Sequence, residues 1–276
     1  MSIVKEKEFH YTEDDFQWVK KRIHDQVGIN LNDSKREMVY SRLARRIRKL
    51  GYSSFSQYRS LLQRDNNELI EFVNAITTNV TAFFRENHHF EAMANDFIPE
   101  LLQKKRASKS IKIWSAGCST GEEPYSIAMT LMENVPSDWK VKIWATDLDT
   151  QVLEKGRRGV YPITNVQGIP KARLKKWFWR GKGSNQDMVK VNPVLQKIIE
   201  FRQLNLMGEW DIRDTFDIIF CRNVVIYFTK DTQRVLFERY ANQLADGGYL
   251  FLGHSESLHG VSDKFKFLRQ TMHKKV

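Results

Sequence analysis

The sequence predicts an α/β fold, a doubly wound sheet preceded by a helical segment and interrupted by a small β insertion. Three observations carry this. Short apolar, β-branched runs alternate with helical patterns after residue 110, while residues 10 to 85 hold only helical periodicities. Between about 160 and 200 the alternation fails, and a turn-rich RGKGSNQD precedes the alternating MVKV, which predicts a hairpin subdomain inserted into the larger fold. A chain of 276 residues, 41% hydrophobic and 28% charged, is long enough for one large domain or for a small domain joined to a larger one.

In the N-terminal part the clearest helix is SKREMVYSRLARRIRKLG. Ser34 and Glu37 match the S-x-x-E capping box, in which each side chain would satisfy a backbone N–H at the helix start, and Gly51 stands where a left-handed C-terminal cap belongs. Val39, Leu43, Ile47 and Leu50 recur at helical spacing. The other faces carry Arg42, Arg45, Arg46, Arg48 and Lys49, so the helix is expected to show solvent a dense positive stripe. Such a stripe serves either solubility or an acidic partner.

Four runs read as buried parallel strands: IKIWSAG (111 to 117), VKIWATDLD (141 to 149), FDIIFCRNVVIYF (216 to 228) and GYLFLGH (248 to 254). Helical patterns lie between them at 123 to 134, around 150 to 157 and at 230 to 245. Ligands of open α/β sheets bind beyond the carboxyl ends of the strands, which points to Gly117 to Glu123, Asp147 to Asp149, Arg222-Asn223 and Gly253-His254.

Composition narrows the chemistry further. Cys118 and Cys221 stand far apart without CxxC spacing, and the seven histidines form no HExxH or HxxxH pattern, so neither a zinc site nor a disulfide framework is suggested. No segment approaches the ~20 apolar residues that span a bilayer, and the start MSIVKEKEFHYTEDDF has no long apolar run, so a cytoplasmic location without membrane insertion is expected. The net charge of +11 points to an acidic or polyanionic partner.

Three nucleotide-pocket readings compete for the loop WSAGCSTGEEPYS. A P-loop needs a lysine where AGCSTGEEP has glutamates, and a dinucleotide fingerprint loses its second glycine to Ser119. A pyrophosphate beside Glu122 and Glu123 would be repelled. S-adenosylmethionine has no phosphate and carries a sulfonium and an ammonium, which nearby carboxylates attract. Asp147, ending the second strand, would accept hydrogen bonds from its ribose hydroxyls. Each acid can also be read as a solvated loop residue or as a charge favoured in a first helical turn.

Five blocks taken together carry a resemblance: TTNVTAFFRENHHF (77 to 90), WSAGCSTGEEPYSIAM, ATDLDTQVLEKGRRGVY, FDIIFCRNVVIYF and GGYLFLGHSESL. In order and spacing, from about residue 30 to the end, they resemble the CheR family of protein-glutamate O-methyltransferases, which act on chemotaxis receptors. The resemblance implies a class I S-adenosylmethionine-dependent methyltransferase domain (111–276), with a β-subdomain insert at about 160–200. It implies an N-terminal helical, receptor-docking domain over 1–85 and a linker helix over 86–110. By motif position Asn79, Thr81 and Arg85 would line the cofactor and substrate site. Glu123, rather than Glu122, and Asp147, rather than Asp149, would hold the cofactor's ribose and adenine side. Asn205 and Leu206 of QLNL would border the adenine, and Arg222 and Asn223 would lie near the cofactor's methionine part. Arg85 and Tyr227 would be the catalytic pair, Arg85 holding the substrate carboxylate and Tyr227 orienting it near the transferred methyl, unless Tyr227 is an aromatic core residue.

The implied partner is the cytoplasmic helical bundle of the receptors, met by the arginine stripe, and in some relatives a receptor C-terminal peptide is bound by the β-subdomain through strand addition. S-adenosylhomocysteine would be the product, with no metal. Two alternatives share parts of this reading. A nucleic-acid methyltransferase would keep the sheet and cofactor, but Cys221-Arg222-Asn223-Val224 stands where enzymes acting on exocyclic base nitrogens typically carry Asn/Asp-Pro-Pro-Tyr, and no RNP-like motif is present. A non-catalytic adaptor should have a broken NVTAFFR or GEEP block, and both are intact.

Overall fold

The computed structural model describes residues 7–77 and 79–276; Met1–Glu6, at the head of the expected helical domain, and Thr78 of the TTNVTAFFR block lie outside the described residues. The described residues form two compact units, one of residues 7–77 with Tyr227–Thr229, the other of Asn79–Ile226 with Lys230–Val276. The break precedes the expected 85/86 boundary because the TAFFR segment packs into the second unit. Phe83 joins its core and the Phe84 N–H donates to Ser126 Oγ at 2.9 Å.

The helical unit contains α1 (Glu13–Val27), α2 (Arg36–Lys49), α3 (Phe55–Leu62) and α4 (Asn66–Ile76). Its capping box lies at Thr12 and Asp15, where the Asp15 N–H donates to Thr12 Oγ1 (3.1 Å) and the Thr12 N–H to Asp15 Oδ2 (3.0 Å). The box expected at Ser34 and Glu37 does not form. Asp33–Lys35 folds as a 3₁₀ turn that moves the start of α2 past Ser34, whose hydroxyl donates to Asn32 while Glu37 pairs with Lys7. The far end follows expectation: Gly51 has φ +73°, and the Gly51 and Tyr52 N–H groups donate to the Arg48 and Ile47 carbonyls, a Schellman closure. The apolar faces bury Phe16, Val19, Ile23, Val39, Leu43, Ile47, Tyr58 and Phe72.

The arginines of α2 are not a free positive stripe. Arg42 and Arg46, one turn apart, face α4: Arg42 Nη1 donates to the Ile76 and Thr77 carbonyls (2.8 and 2.7 Å), capping the end of α4, and Arg46 bridges Glu68 and Glu71. Arg48 pairs with Glu8, whereas Arg45 and Lys49 stay exposed. Three acids, Glu68, Glu71 and Glu8, and the carbonyls ending α4 draw these side chains in, a demand that the helix's own periodicity does not reveal.

The second unit opens with α5 (His88–Ala92), which runs through a π-helical turn, Met93–Phe97, into α6 (Ile98–Lys104). The expected linker helix is thus part of this unit, and Phe90, Met93, Phe97, Ile98 and Leu101 are buried in its core. Then follow β1 (Ser110–Ala116), α7 (Glu122–Asn134), β2 (Lys140–Asp147), α8 (Thr150–Arg158), β3 (Val160–Pro162), α9 (Lys171–Trp177), β4 (Phe178–Arg180), β5 (Met188–Val191), α10 (Pro193–Gln196), β6 (Ile199–Gln203), β7 (Phe216–Cys221), α11 (Lys230–Gln243), β8 (Leu244–Leu252), β9 (Phe265–Arg269) and β10 (Met272–Lys275).

The main sheet runs β6-β2-β1-β7-β8-β10-β9. Its first five strands are parallel, while β10 is antiparallel to β8 and to β9. β1 and β7 are buried almost throughout, which explains their unbroken apolar runs. The long apolar run 216 to 228 is a strand only to Cys221; Asn223, at φ +60°, turns the chain away. The insert is a three-stranded antiparallel sheet, β3-β5-β4, with Val160 and Trp179 both opposite Lys190. The expected hairpin is its β4–β5 half, and the insert ends before β6, which belongs to the main sheet. Cys118 and Cys221 are buried free thiols. Among the described residues no helix is long and apolar enough to cross a membrane.

Candidate active site

β1 is followed on one side by β2, and the chain later returns to place β7 on its other side, so the strand order reverses at the carboxyl end of β1. That switch point is where an open sheet leaves a crevice. The loop filling it, Gly117 to Gly121, is anchored by the Gly117 and Cys118 N–H groups, which both donate to the Thr146 carbonyl (2.8 and 2.9 Å). Gly117, Ser119 and Gly121 have φ of +86°, +49° and +98°. A Cβ on Gly117 would stand 2.4 Å from Val224 Cγ2, so glycine there meets both a steric and a dihedral demand.

The paired glutamates part ways. Glu123 turns toward the strand ends, accepts from Ser115 Oγ (2.7 Å) and pairs with Arg222 (3.1 Å). Glu122 turns toward the insert and accepts from Thr120 Oγ1 (2.6 Å), whose carbonyl in turn accepts from Tyr161 of β3 (2.8 Å). Burial raises both carboxyl pKa values, with Arg222 pulling Glu123 back. Asp147 and Asp149 also differ. Asp149 caps α8 through the Gln151 and Val152 N–H groups and accepts from Asn79 Nδ2 (2.9 Å). Asp147 accepts from two backbone N–H groups, Ser119 (2.8 Å) and Asp149 (3.0 Å), and burial followed by the Asp149 charge raises its pKa. Arg222 balances Glu123, whereas Asp147 and Asp149 are met by N–H groups.

Asn79 joins the TAFFR loop to this centre: its carbonyl accepts from Ser119 Oγ (3.0 Å) and its amide reaches Asp149. Thr81 lies two residues on, half-buried. Arg85 is flanked by Phe84 and Glu86 at φ +53° and +55°, a pair of left-handed non-glycine residues that marks stored backbone strain. The half-buried Arg85 side chain donates to the Val80 carbonyl (3.0 Å). Arg222 is almost fully buried and donates to the Arg85 carbonyl while pairing with Glu123 and with Glu86 (3.4 Å). Burial opposes ionisation of Glu86, but His254 and Arg222 outweigh it and hold its carboxyl at about 2. Glu86, His88 and His89 also bring one possible metal-ligating atom each within 4.8 Å of one another, a grouping the sequence patterns did not show; Arg222 already supplies the cation there.

Asn205 and Leu206 follow β6, and the Leu204 N–H donates to the Asp147 carbonyl (3.0 Å), so this segment runs beside Asp147. Leu206 is buried, and Asn205 Oδ1 accepts from the Met207 N–H (2.9 Å). Asn223 follows Arg222 in the turn after β7. Tyr227 belongs to the helical unit: its carbonyl accepts from the Asn30 N–H (2.7 Å), next to the Ile29–Phe228 bridge. Glu256, absent from the expected site residues, is a buried carboxylate that binds the backbone of the turn after β7. A charged residue in GHSESL, directly after a buried strand, was the available signal.

A carboxylate held by backbone N–H groups suits the hydroxyls of a ribose and repels a phosphate. The donor set therefore fits S-adenosylmethionine. A doubly wound sheet with such an acid-edged crevice at its switch point defines a class I S-adenosylmethionine-dependent methyltransferase. The family models for the CheR methyltransferase SAM binding domain and for its all-alpha domain match residues 79–274 and 14–77. Chemotaxis protein methyltransferase 2 of Pseudomonas aeruginosa is 47% identical over 269 residues, covering 97% of this chain and 95% of that protein. The chemotaxis protein methyltransferase of Salmonella typhimurium is 41% identical over 264 residues, 94% and 88% of the two chains. That of Borreliella burgdorferi is 39% identical over 257 residues, 90% of each. The chain belongs to the CheR methyltransferase family.

Proposed function

We propose that the chain transfers the methyl group of S-adenosylmethionine to the side-chain carboxylate of glutamates on chemotaxis receptors, giving the methyl esters of sensory adaptation. The observation that carries this is the crevice itself, where Asp147, held by backbone N–H groups, edges a glycine loop that joins the strained segment bearing Arg85 through Asn79 and Ser119. The cofactor supplies an electrophilic methyl on a cationic sulfur. A glutamate carboxylate is ionised at neutral pH, so the protein needs no general base and acts by alignment and by limiting solvation.

In this reading Asp147 holds the ribose, Asn205 and Leu206 border the adenine, and Asn79, Thr81 and Glu123 line the remaining wall. Arg85 receives the substrate carboxylate. Arg222, whose guanidinium is occupied within the protein, serves through its position and backbone together with Asn223. On the helical unit the exposed Arg45 and Lys49 meet an acidic receptor bundle, and Arg42, Arg46 and Arg48 support the helix that presents them. The insert offers β4 as an open sheet edge with Trp179, 53% exposed, and exposed Arg180, followed by exposed Lys182, which suits strand addition by a receptor C-terminal peptide. A cytoplasmic location accords with this substrate.

The test is transfer of a labelled methyl to receptor preparations. Base-labile label on glutamate, lost in Arg85→Ala while the melting temperature holds, is the expected result. Stable label on nucleic acid, or none on receptors, would overturn the reading.

A further inference from the structure

The loop after β8 contains a carboxylate with an unusual set of partners. Glu256 is 6% exposed. Its Oε2 accepts from the Gly253 and Asn223 N–H groups (2.6 and 2.9 Å), and its Oε1 from those of Val224, Val225 and Ile226 (2.8, 2.8 and 3.3 Å). These donors are main-chain groups, four of them successive residues of the turn after β7. Burial pushes the Glu256 carboxyl up and the N–H bonds oppose it, so the charge is met by peptide dipoles as in an anion nest.

The two loops have no slack between them. A Cβ on Gly253 would stand 2.6 Å from Asn223 Nδ2 and 2.8 Å from its backbone nitrogen. Asn223 is held at φ +60°, and the neighbouring Val224 side chain fills the space over Gly117. Gln233 of α11 clamps the same turn from behind by donating to the Val225 carbonyl (2.8 Å). Simple stability does not call for a buried charge here, since desolvating a carboxylate costs several kcal/mol that an apolar side chain would not incur. What the carboxylate supplies is one fixed conformation for four consecutive peptides.

We propose that Glu256 is a positioning residue for methyl transfer: by gathering the amides of Asn223 to Ile226 it sets the turn that walls the cofactor crevice and, through Val224, the glycine loop on the other side. This rests on the cofactor assignment made above. Glu256 touches no reacting atom and acts through the backbone.

The experiment compares wild type, Glu256→Gln and Glu256→Asp in the full chain by calorimetry with S-adenosylhomocysteine, steady-state methylation and thermal melting. Gln loses charge and turns an amide toward N–H donors, whereas Asp keeps the charge but loses reach. Expected for Glu256→Gln is a cooperative melt well above assay temperature with at least tenfold weaker S-adenosylhomocysteine binding and a matching rise in KM for S-adenosylmethionine, with Glu256→Asp intermediate. Should Glu256→Gln fail to fold, Glu256→Asp alone decides by the same binding loss. Folded variants that bind and turn over as wild type would overturn the proposal, leaving Glu256 as stability only. A wild type that itself fails to bind takes down the cofactor assignment and this proposal with it, a pattern distinct from a variant-specific null.

Discussion

The guanidinium of Arg222, at the end of β7, donates to the backbone carbonyl of Arg85, in the loop that opens the second unit. The same side chain pairs with Glu123 at the start of α7 and with Glu86. One buried cation thus ties together three chain segments whose residues surround the crevice, and the left-handed backbone at Phe84 and Glu86 persists because this network over-determines it.

Truncating Arg222 leaves two carboxylates in a buried site without their cation. Removing one partner of a buried ion pair typically costs ~3–5 kcal/mol. Arg222→Ala is therefore expected to destabilise the second unit by an amount in that range, seen as a lowered urea midpoint, and to abolish methyl transfer. Denaturation followed by tryptophan fluorescence checks it; a loss below about 1 kcal/mol would mean the pair behaves as a solvated surface contact.

Acid sensitivity has a calculable sign. His89 is fully buried, and burial, then the charges of Arg222 and His88, lower its pKa from 6.5 to about 3. The unfolded chain then binds a proton that the folded chain refuses, so stability contributed by neutral His89 is complete above pH 6.5 and drains away as pH falls toward 3. Glu86, depressed from 4.5 to about 2, adds a second loss beginning below pH 4.5. Melting temperature should fall from pH 7 to pH 5 in wild type and fall less in His89→Gln, which cannot titrate. Parallel curves for the two proteins would refute the His89 contribution.

Much of this arrangement was legible in the sequence. The parallel strands β1, β2, β7 and β8 stood out because both faces are buried, leaving nearly continuous apolar runs. β6, β9 and β10 did not: Ile199–Gln203, Phe265–Arg269 and Met272–Lys275 are short and carry charges, since β6 and β9 are sheet edges and β10 is next to one. The loop after β1 and its paired acids were visible in the sequence. Which glutamate faces the strand ends was not, because adjacent residues at a helix start diverge by about 100° and only tertiary partners, Ser115 with Arg222 against Thr120, fix the direction. For the same reason Arg42 and Arg46 of α2 looked free, their acceptors lying 22 to 35 residues away on α4 and its end.

Two glycines with similar dihedrals should respond differently. Gly51 and Gly117 have φ of +73° and +86°, so alanine at either carries a left-handed strain of about 1–2 kcal/mol. A Cβ at Gly51 meets no atom within 4 Å, whereas at Gly117 it overlaps Val224 Cγ2. Gly51→Ala is expected to soften the helical unit by roughly that strain and leave cofactor binding intact. Gly117→Ala must also displace Val224, and should weaken S-adenosylhomocysteine binding at least about tenfold, equivalent to roughly 1.4 kcal/mol. Calorimetry on both variants separates the cases, and equal affinities would show that the loop tolerates the shift.

The helix α2 offers the sharpest contrast between neighbours. Arg46 bridges Glu68, which is 4% exposed and also accepts from the Tyr58 hydroxyl at 2.8 Å, while Arg45 points to solvent. Arg46→Ala strands a buried carboxylate and is expected to cost the helical unit about 3 kcal/mol, the lower end for a broken buried pair because Arg46 itself keeps some exposure. Arg45→Ala should change stability by no more than about 0.5 kcal/mol. If Arg45 helps steer an acidic receptor, its removal lowers the methylation rate at low ionic strength and the difference vanishes as salt is raised, because screening acts on exposed charges. Urea midpoints together with rates at two salt concentrations test both halves. A salt-independent loss in Arg45→Ala, or an unshifted midpoint in Arg46→Ala, would reverse the division of labour assigned to this helix.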